Sequence, residues 1–185
     1  MAGPAFLFLG EAVWLDLANT APNSTAAAAS DALPDADAAR AWLVAAGLPG
    51  LDPRLDIALL IALRTELVLL ADALAAGRRP PTAAIAAING VLRGAPGREL
   101  LTRTAGAWRL RFLPSTPPGP LELLARSAAR TLADPTGQVR RCADPSCQRF
   151  FVDATPHHTQ AWCREVCHAS AAIDRRRAHR PLSTT

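Results

Sequence analysis

Lysine and tyrosine are absent from this 185-residue chain, methionine occurs once, and aromatic residues make up only 5% of it. All 20 basic residues are therefore Arg. With so much Ala beside them, the missing Lys reads as the base-composition bias of a GC-rich genome and carries no functional weight. Cysteine is missing from the first 141 residues, so that stretch has no disulfide framework. Uninterrupted apolar runs of membrane-spanning length are missing too. The longest apolar stretch, Leu55 to Ala76, is broken by Asp56, Arg64, Glu66 and Asp72, each costly at a bilayer centre. The short run Phe6 to Leu9 has no positive residue before it, and Glu11 and Asp16 follow it closely. It is read as part of the fold rather than as an export signal. The expectation is a cytoplasmic protein with no membrane partner.

What is present is unevenly distributed. Half the residues are apolar and 19% are charged, which suits one medium domain or one domain plus a small module. Residues 1–137 contain 12 Arg and 12 acids, so the whole net charge of +4 belongs to residues 138–185. All four cysteines lie in that same segment.

Along the first part, hydrophobic periodicity changes twice. An opening segment to about Thr20 leads into a small-residue loop, Ala21 to Leu33. Asp35 and Asp37 then open a helix carrying Trp42, Leu43 and Leu48, with Gly47 as its stop. The strongest helical pattern runs from about Pro53 to Ala76. Its apolar positions Leu55, Leu59, Leu63, Leu67, Leu70 and Leu74 recur at spacings of three and four, and Gly77 ends it. A further helix spans about Thr82 to Leu92, using Ile85, Ile88 and Leu92. Near residues 100–113 the period becomes two around Ala105-Gly106, which predicts a β-hairpin. A helix from about Leu121 to Leu132 follows, and Asp134-Pro135-Thr136-Gly137 is a turn signal that marks the module boundary. Trp14, Trp42 and Trp108 are read as core residues. The expected fold class is mainly α with one β-hairpin. A helical domain over 1–137 precedes a small treble-clef-like or ribbon-like module over 138–185.

The cysteines read C-x4-C, fifteen residues, then C-x3-C, at Cys142, Cys147, Cys163 and Cys167. Two close pairs at this separation let four thiolates converge on one tetrahedral Zn2+. The first pair sits on a turn made by Asp144-Pro145-Ser146. The second opens a helix starting near Ala169, and Phe150-Phe151-Val152 supplies apolar residues to a unit too small for much core without its metal. His168 is the rival for the fourth ligand; His157 and His158 are expected on a solvent-facing loop. One structural zinc per chain fills its own coordination sphere with protein thiolates. That leaves no open position for water or substrate, and no phosphate loop, nucleophile elbow or metalloprotease helix is present. The expectation is a protein that is not an enzyme. Downstream, Arg175, Arg176, Arg177 and Arg180 fall within six residues, enough for several phosphate contacts on nucleic acid. Arg140, Arg141 and Arg149 are candidates for support. Counting the thiolates and zinc, the module's +4 falls to about +2.

Taken together these residues resemble the CGNR zinc-finger proteins with an N-terminal ABATE domain, a family of bacterial stress-response transcription regulators. The likeness covers nearly the whole chain. It rests on Leu15-Asp16-Leu17-Ala18-Asn19-Thr20, Trp42-Leu43 with Gly47-Leu48, Leu63-Arg64-x-Glu66, Ile88-Asn89, Cys142-x4-Cys147, Phe151-x-Asp153, Trp162-Cys163 and the Arg-rich end. The naming C-G-N-R tetrad is replaced by Cys167-His168-Ala169-Ser170, and the segment before Trp162 carries no Arg from Ala154 to Ala161. The resemblance implies an N-terminal domain that senses a small-molecule or protein signal or forms a homodimer, and a zinc module that docks on DNA. The thinned basic surface keeps open a zinc-stabilised protein–protein interaction module without direct DNA contact. Asp16, Asn19, Arg64, Glu66 and Asn89 are read as a capping and buried hydrogen-bond network that orients the helices.

Overall fold

The computed structural model describes residues 6–9, 12–22, 30–49, 55–134 and 136–170. Five helices and two strand pairs follow in the order α1 (Val13–Ala18), α2 (Ala36–Ala45), α3 (Ile57–Ala75), α4 (Thr82–Arg93), β1 (Gly97–Thr104), β2 (Ala107–Pro114), α5 (Pro120–Ala133), β3 (Gln138–Arg141) and β4 (Phe150–Asp153). A last helical segment, α6, is described over 165–170.

Local chemistry sets the helix ends. The Asp35 carboxylate accepts the Ala38 N–H at 2.8 Å, and Asp56 does the same for Ala58. Both are N-caps that satisfy donors with no partner inside the helix. Asp35 is thus the cap itself, one step outside the first turn where the sequence placed it. Helix α3 starts at Ile57; the expected start at Pro53 lies outside the described residues. At the other end Gly77, at φ +64°, lets the Gly77 and Arg78 N–H groups fold back onto the carbonyls of Leu74 and Ala73. Gly47 performs the same function after α2, at φ +70°. Helix α5 opens on Pro120, where a missing N–H costs nothing.

The core gathers Trp14 and Leu17 of α1, Trp42 and Leu43 of α2, Leu60, Leu63, Leu67 and Leu70 of α3, Ala84 and Ile88 of α4, and Leu124, Ala125 and Ala128 of α5. The Trp14 indole N–H finds the Thr131 hydroxyl at 2.9 Å, so the ring is buried with its polar edge satisfied. The α3 stripe differs from the periodicity reading by one position. Leu59 is 56% exposed while Leu60 is fully buried, because the face is continued by Leu63, Leu67, Leu70 and Ala71. Val139 and Phe150, from β3 and β4, belong to this same core.

Strands β1 and β2 pair in antiparallel register from Gly97↔Pro114 to Thr104↔Ala107. Ala105 and Gly106 both have positive φ, 49° and 82°, the two-residue turn that matches strand twist. Among the described elements this hairpin stands out in solvent, with almost every residue exposed. Trp108, expected in the core, is 64% exposed, since neither hairpin face is buried against a helix along its length. No helix among the described residues is long and apolar enough to cross a membrane.

Candidate metal centre

Three local structures carry the four cysteines. Cys142 follows β3, and its N–H donates to the Arg149 carbonyl at 2.8 Å, closing a knuckle before β4. Inside that knuckle the Asp144 carboxylate accepts from the Ser146 N–H and hydroxyl, while the Asp144 carbonyl accepts from the Cys147 N–H at 3.0 Å. The Asp-Pro-Ser turn thus aims Cys147 back toward Cys142. Gln148 takes a left-handed backbone, φ 53°, to re-enter the strand. Strand β4 pairs with β3 in antiparallel register, Gln138↔Asp153 to Arg141↔Phe150. Cys163 and Cys167 sit at the entrance to α6. That helix begins at residue 165, earlier than the expected Ala169, because the Cys167 N–H is already turned onto the Arg164 carbonyl.

All four Sγ atoms lie within 4.8 Å of one another and all four residues are buried. Cys147 and Cys163 are 3.5 Å apart at sulfur, and Cys163 and Cys167 3.7 Å. A tetrahedral ion with Zn–S bonds of about 2.3 Å requires sulfur separations of about 3.8 Å, so the donor set fits one zinc ion. Cys142, Cys147, Cys163 and Cys167 would hold it, with Leu9 and Trp162 packed against the cluster and Phe151 buried within it. His168 takes no part: its ring stands edge-on to Trp162, centroids 4.5 Å apart.

Charge around the cluster is organised as well. In the metal-free protein, the hydrogen bond from Cys163 holds the Cys147 thiol down to about 4 against the opposing effect of burial, with Arg149 adding support. That same hydrogen bond pushes Cys163 up, and burial raises Cys167 to about 11. Zinc binding would displace thiol protons from these cysteines.

The arginines named as support for nucleic-acid contact each have partners within the fold. Arg140 pairs with the fully buried Asp153 at 3.1 Å and also donates to the His158 carbonyl. Arg141 bonds to Asp72 on α3 and to the Gln148 carbonyl, and lies over the Phe150 ring at 4.4 Å. Arg149 reaches the Cys147 sulfur at 3.5 Å. Asp153 anchors the loop after β4: burial pushes its carboxyl up, but the Thr155 hydroxyl and N–H, Arg140 and the Gln160 N–H outweigh it and hold the pKa to about 2. His157 is exposed, whereas His158 is half-buried, its Nδ1 3.2 Å from the Asp153 carbonyl. Arg175, Arg176, Arg177 and Arg180 lie outside the described residues.

The helical part grips this module through one residue that the sequence marked without revealing its partner. Asn19 donates its amide to the Phe150 carbonyl and accepts the Phe150 N–H, both at 2.9 Å. Beside this clamp a cavity of about 540 Å³ runs between α1, α3 and the knuckle, lined in part by Asn19, Asp72, Arg141, Gln148 and Arg149. Asp16 and Arg64 fulfil the structural role expected of them: Asp16 accepts from the Leu9 N–H, and Arg64 holds Asp31 in a two-pronged pair and touches the Thr20 hydroxyl. Asn89 departs from that expectation, since it is exposed on α4. Glu66 is half-buried, and one of its carboxylate oxygens is buried without a hydrogen-bond partner among the described residues.

A helical domain joined to a strand-borne knuckle and helix bearing four convergent cysteines defines a zinc-module protein. The chain belongs to the ABATE family, described as "Putative stress-induced transcription regulator", whose model matches residues 11–135. A CGNR zinc finger follows at residues 138–180. No curated relative matches the chain.

Proposed function

We propose that the protein is a cytoplasmic transcription regulator that acts by binding, without catalysis. Its zinc module docks on duplex DNA, while the helical domain receives a small-molecule or protein signal. The observation that carries this reading is the order of parts. A regulator-family domain leads into a cysteine-held helix, α6, with Arg164 exposed immediately before it. That helix runs in sequence toward Arg175, Arg176, Arg177 and Arg180. Four Arg contacts on phosphate would give a strongly salt-dependent affinity, losing about one unit of log–log slope for each contact removed.

Fluorescence anisotropy with a labelled duplex at low salt tests it. Zinc-loaded protein is expected to bind, and replacing the four arginines with Ala is expected to weaken binding to all sequences alike. No binding to any duplex at low salt would overturn the proposal. A second reading, docking on a protein partner, is favoured by the internal engagement of Arg140, Arg141 and Arg149. Under it, partner capture survives removal of the four-Arg cluster.

A further inference from the structure

Among the described residues, the β1–β2 hairpin carries six of the ten exposed large apolar side chains. Leu101, Trp108 and Leu110 are 59%, 64% and 62% exposed and share a face, with Leu101 directly across from Leu110 and Trp108 across from Arg103. A two-stranded hairpin is marginal in water on its own, and strands gain independent stability when a third or fourth joins and an apolar face is shared. Both strands are eight residues long with no bulge in their register. The β1 edge also contains no proline. Natural edges are blunted by such devices or by charged side chains, and the outward charges of β1, Glu99 and Arg103, are of opposite sign.

The two edges are not equivalent. The Ser115 N–H bonds to the Pro96 carbonyl at 2.9 Å, which sets the alternation of the ladder. Arg98, Leu100, Thr102 and Thr104 therefore turn their backbone groups toward β2. Glu99, Leu101 and Arg103 present theirs outward. An antiparallel copy of β1 centred on Leu101 brings each outward residue against an outward residue: Leu101 against Leu101 and Glu99 against Arg103, twice. On β2 the register centred on Leu110 would set Arg109 against Arg111, twice, and like charges directly opposite are destabilising.

We propose that two copies of this chain pair through β1 about a two-fold axis centred on Leu101, forming a four-stranded sheet in which Leu110 and Leu101 of both copies make one apolar row flanked on the same face by the Glu99–Arg103 pairs. The contact is isologous, so each Glu99–Arg103 pair occurs twice and the surface complements only itself. The partner is a second copy because the edge carries its own charge complement. The inference is independent of DNA binding, since its readout is mass.

Sedimentation velocity of the zinc-loaded full chain over a wide concentration range tests it. A reversible dimer is expected. Glu99→Arg or Arg103→Glu alone is expected to weaken it roughly tenfold or more, because two pairs become repulsive, and the double exchange is expected to restore it. Leu101→Pro, which removes an outward N–H and leaves the β1–β2 ladder intact, is expected to abolish it. Circular dichroism confirms that each variant is folded. A monomer at every concentration would overturn the proposal. So would a dimer indifferent to the single exchanges or to Leu101→Pro, or a double exchange as weak as the singles.

Discussion

Asn19 shows what a single side chain does here. It satisfies both backbone groups of Phe150, a residue 131 positions away that is buried in the common core. Asn19→Ala strands an N–H and a C=O in a partly buried seam, which costs about 1–3 kcal/mol. Chemical denaturation should show that loss; a change of a few tenths would mean that water replaces the amide. The motif around Asn19 was conspicuous in the sequence, but its partner was not, because the pairing depends on how α1 meets β4. Asp153 was legible only as a family position. Its network of donors holds the carboxyl near 2, below the roughly 3.9 of an unfolded chain. The stabilisation is therefore complete above about pH 4 and is lost as pH falls through about 2. Asp153→Asn is expected to lower stability at neutral pH and flatten the acid limb of the unfolding profile. An unchanged acid limb would place that titration elsewhere. The arginines of the module show the opposite lesson. Net charge located them, but only the fold reveals that Arg140, Arg141 and Arg149 have partners within it.

At the scale of elements, helix periodicity was read correctly in kind and misread by one step in α3. A run as apolar as Ile57–Ala75 contains Leu at 59, 60, 63, 67, 69, 70 and 74, so spacing alone allows more than one stripe. Packing against α1, α4 and β3 selects the face that includes Leu60. Leu60→Ala is accordingly expected to cost about 2–5 kcal/mol, and Leu59→Ala to stay within about 0.5 kcal/mol. Equal effects in thermal or denaturant unfolding would contradict the assignment. The hairpin was legible from its alternation and its Ala-Gly turn. Its exposure was not, because alternation reports pleat and cannot say whether another layer covers the face. That is why Trp108 belongs to the surface, unlike Trp14 and Trp42.

The whole molecule joins two chemistries in one core. Cysteine spacing made the metal centre readable from sequence, down to the four ligands, because thiolate convergence depends on intervals that a chain carries explicitly. The docking of the module was not readable: Phe150 looked like part of a small module's own filling, yet it lies with Val139 among the leucines of α3. Chelation should therefore release the knuckle and α6 while β3 and β4 remain attached to the helical core. Amide exchange should show protection lost around Cys142–Cys147 and Cys163–Cys167 and retained in α3 and α5; uniform loss would contradict this. Under the proposed function, zinc organises a surface that docks on DNA. The most direct test is duplex affinity, measured against salt on one preparation before zinc removal, after it, and after zinc is returned. Salt-dependent binding that disappears with the metal and returns with it is expected. Affinity unchanged by zinc removal would contradict it.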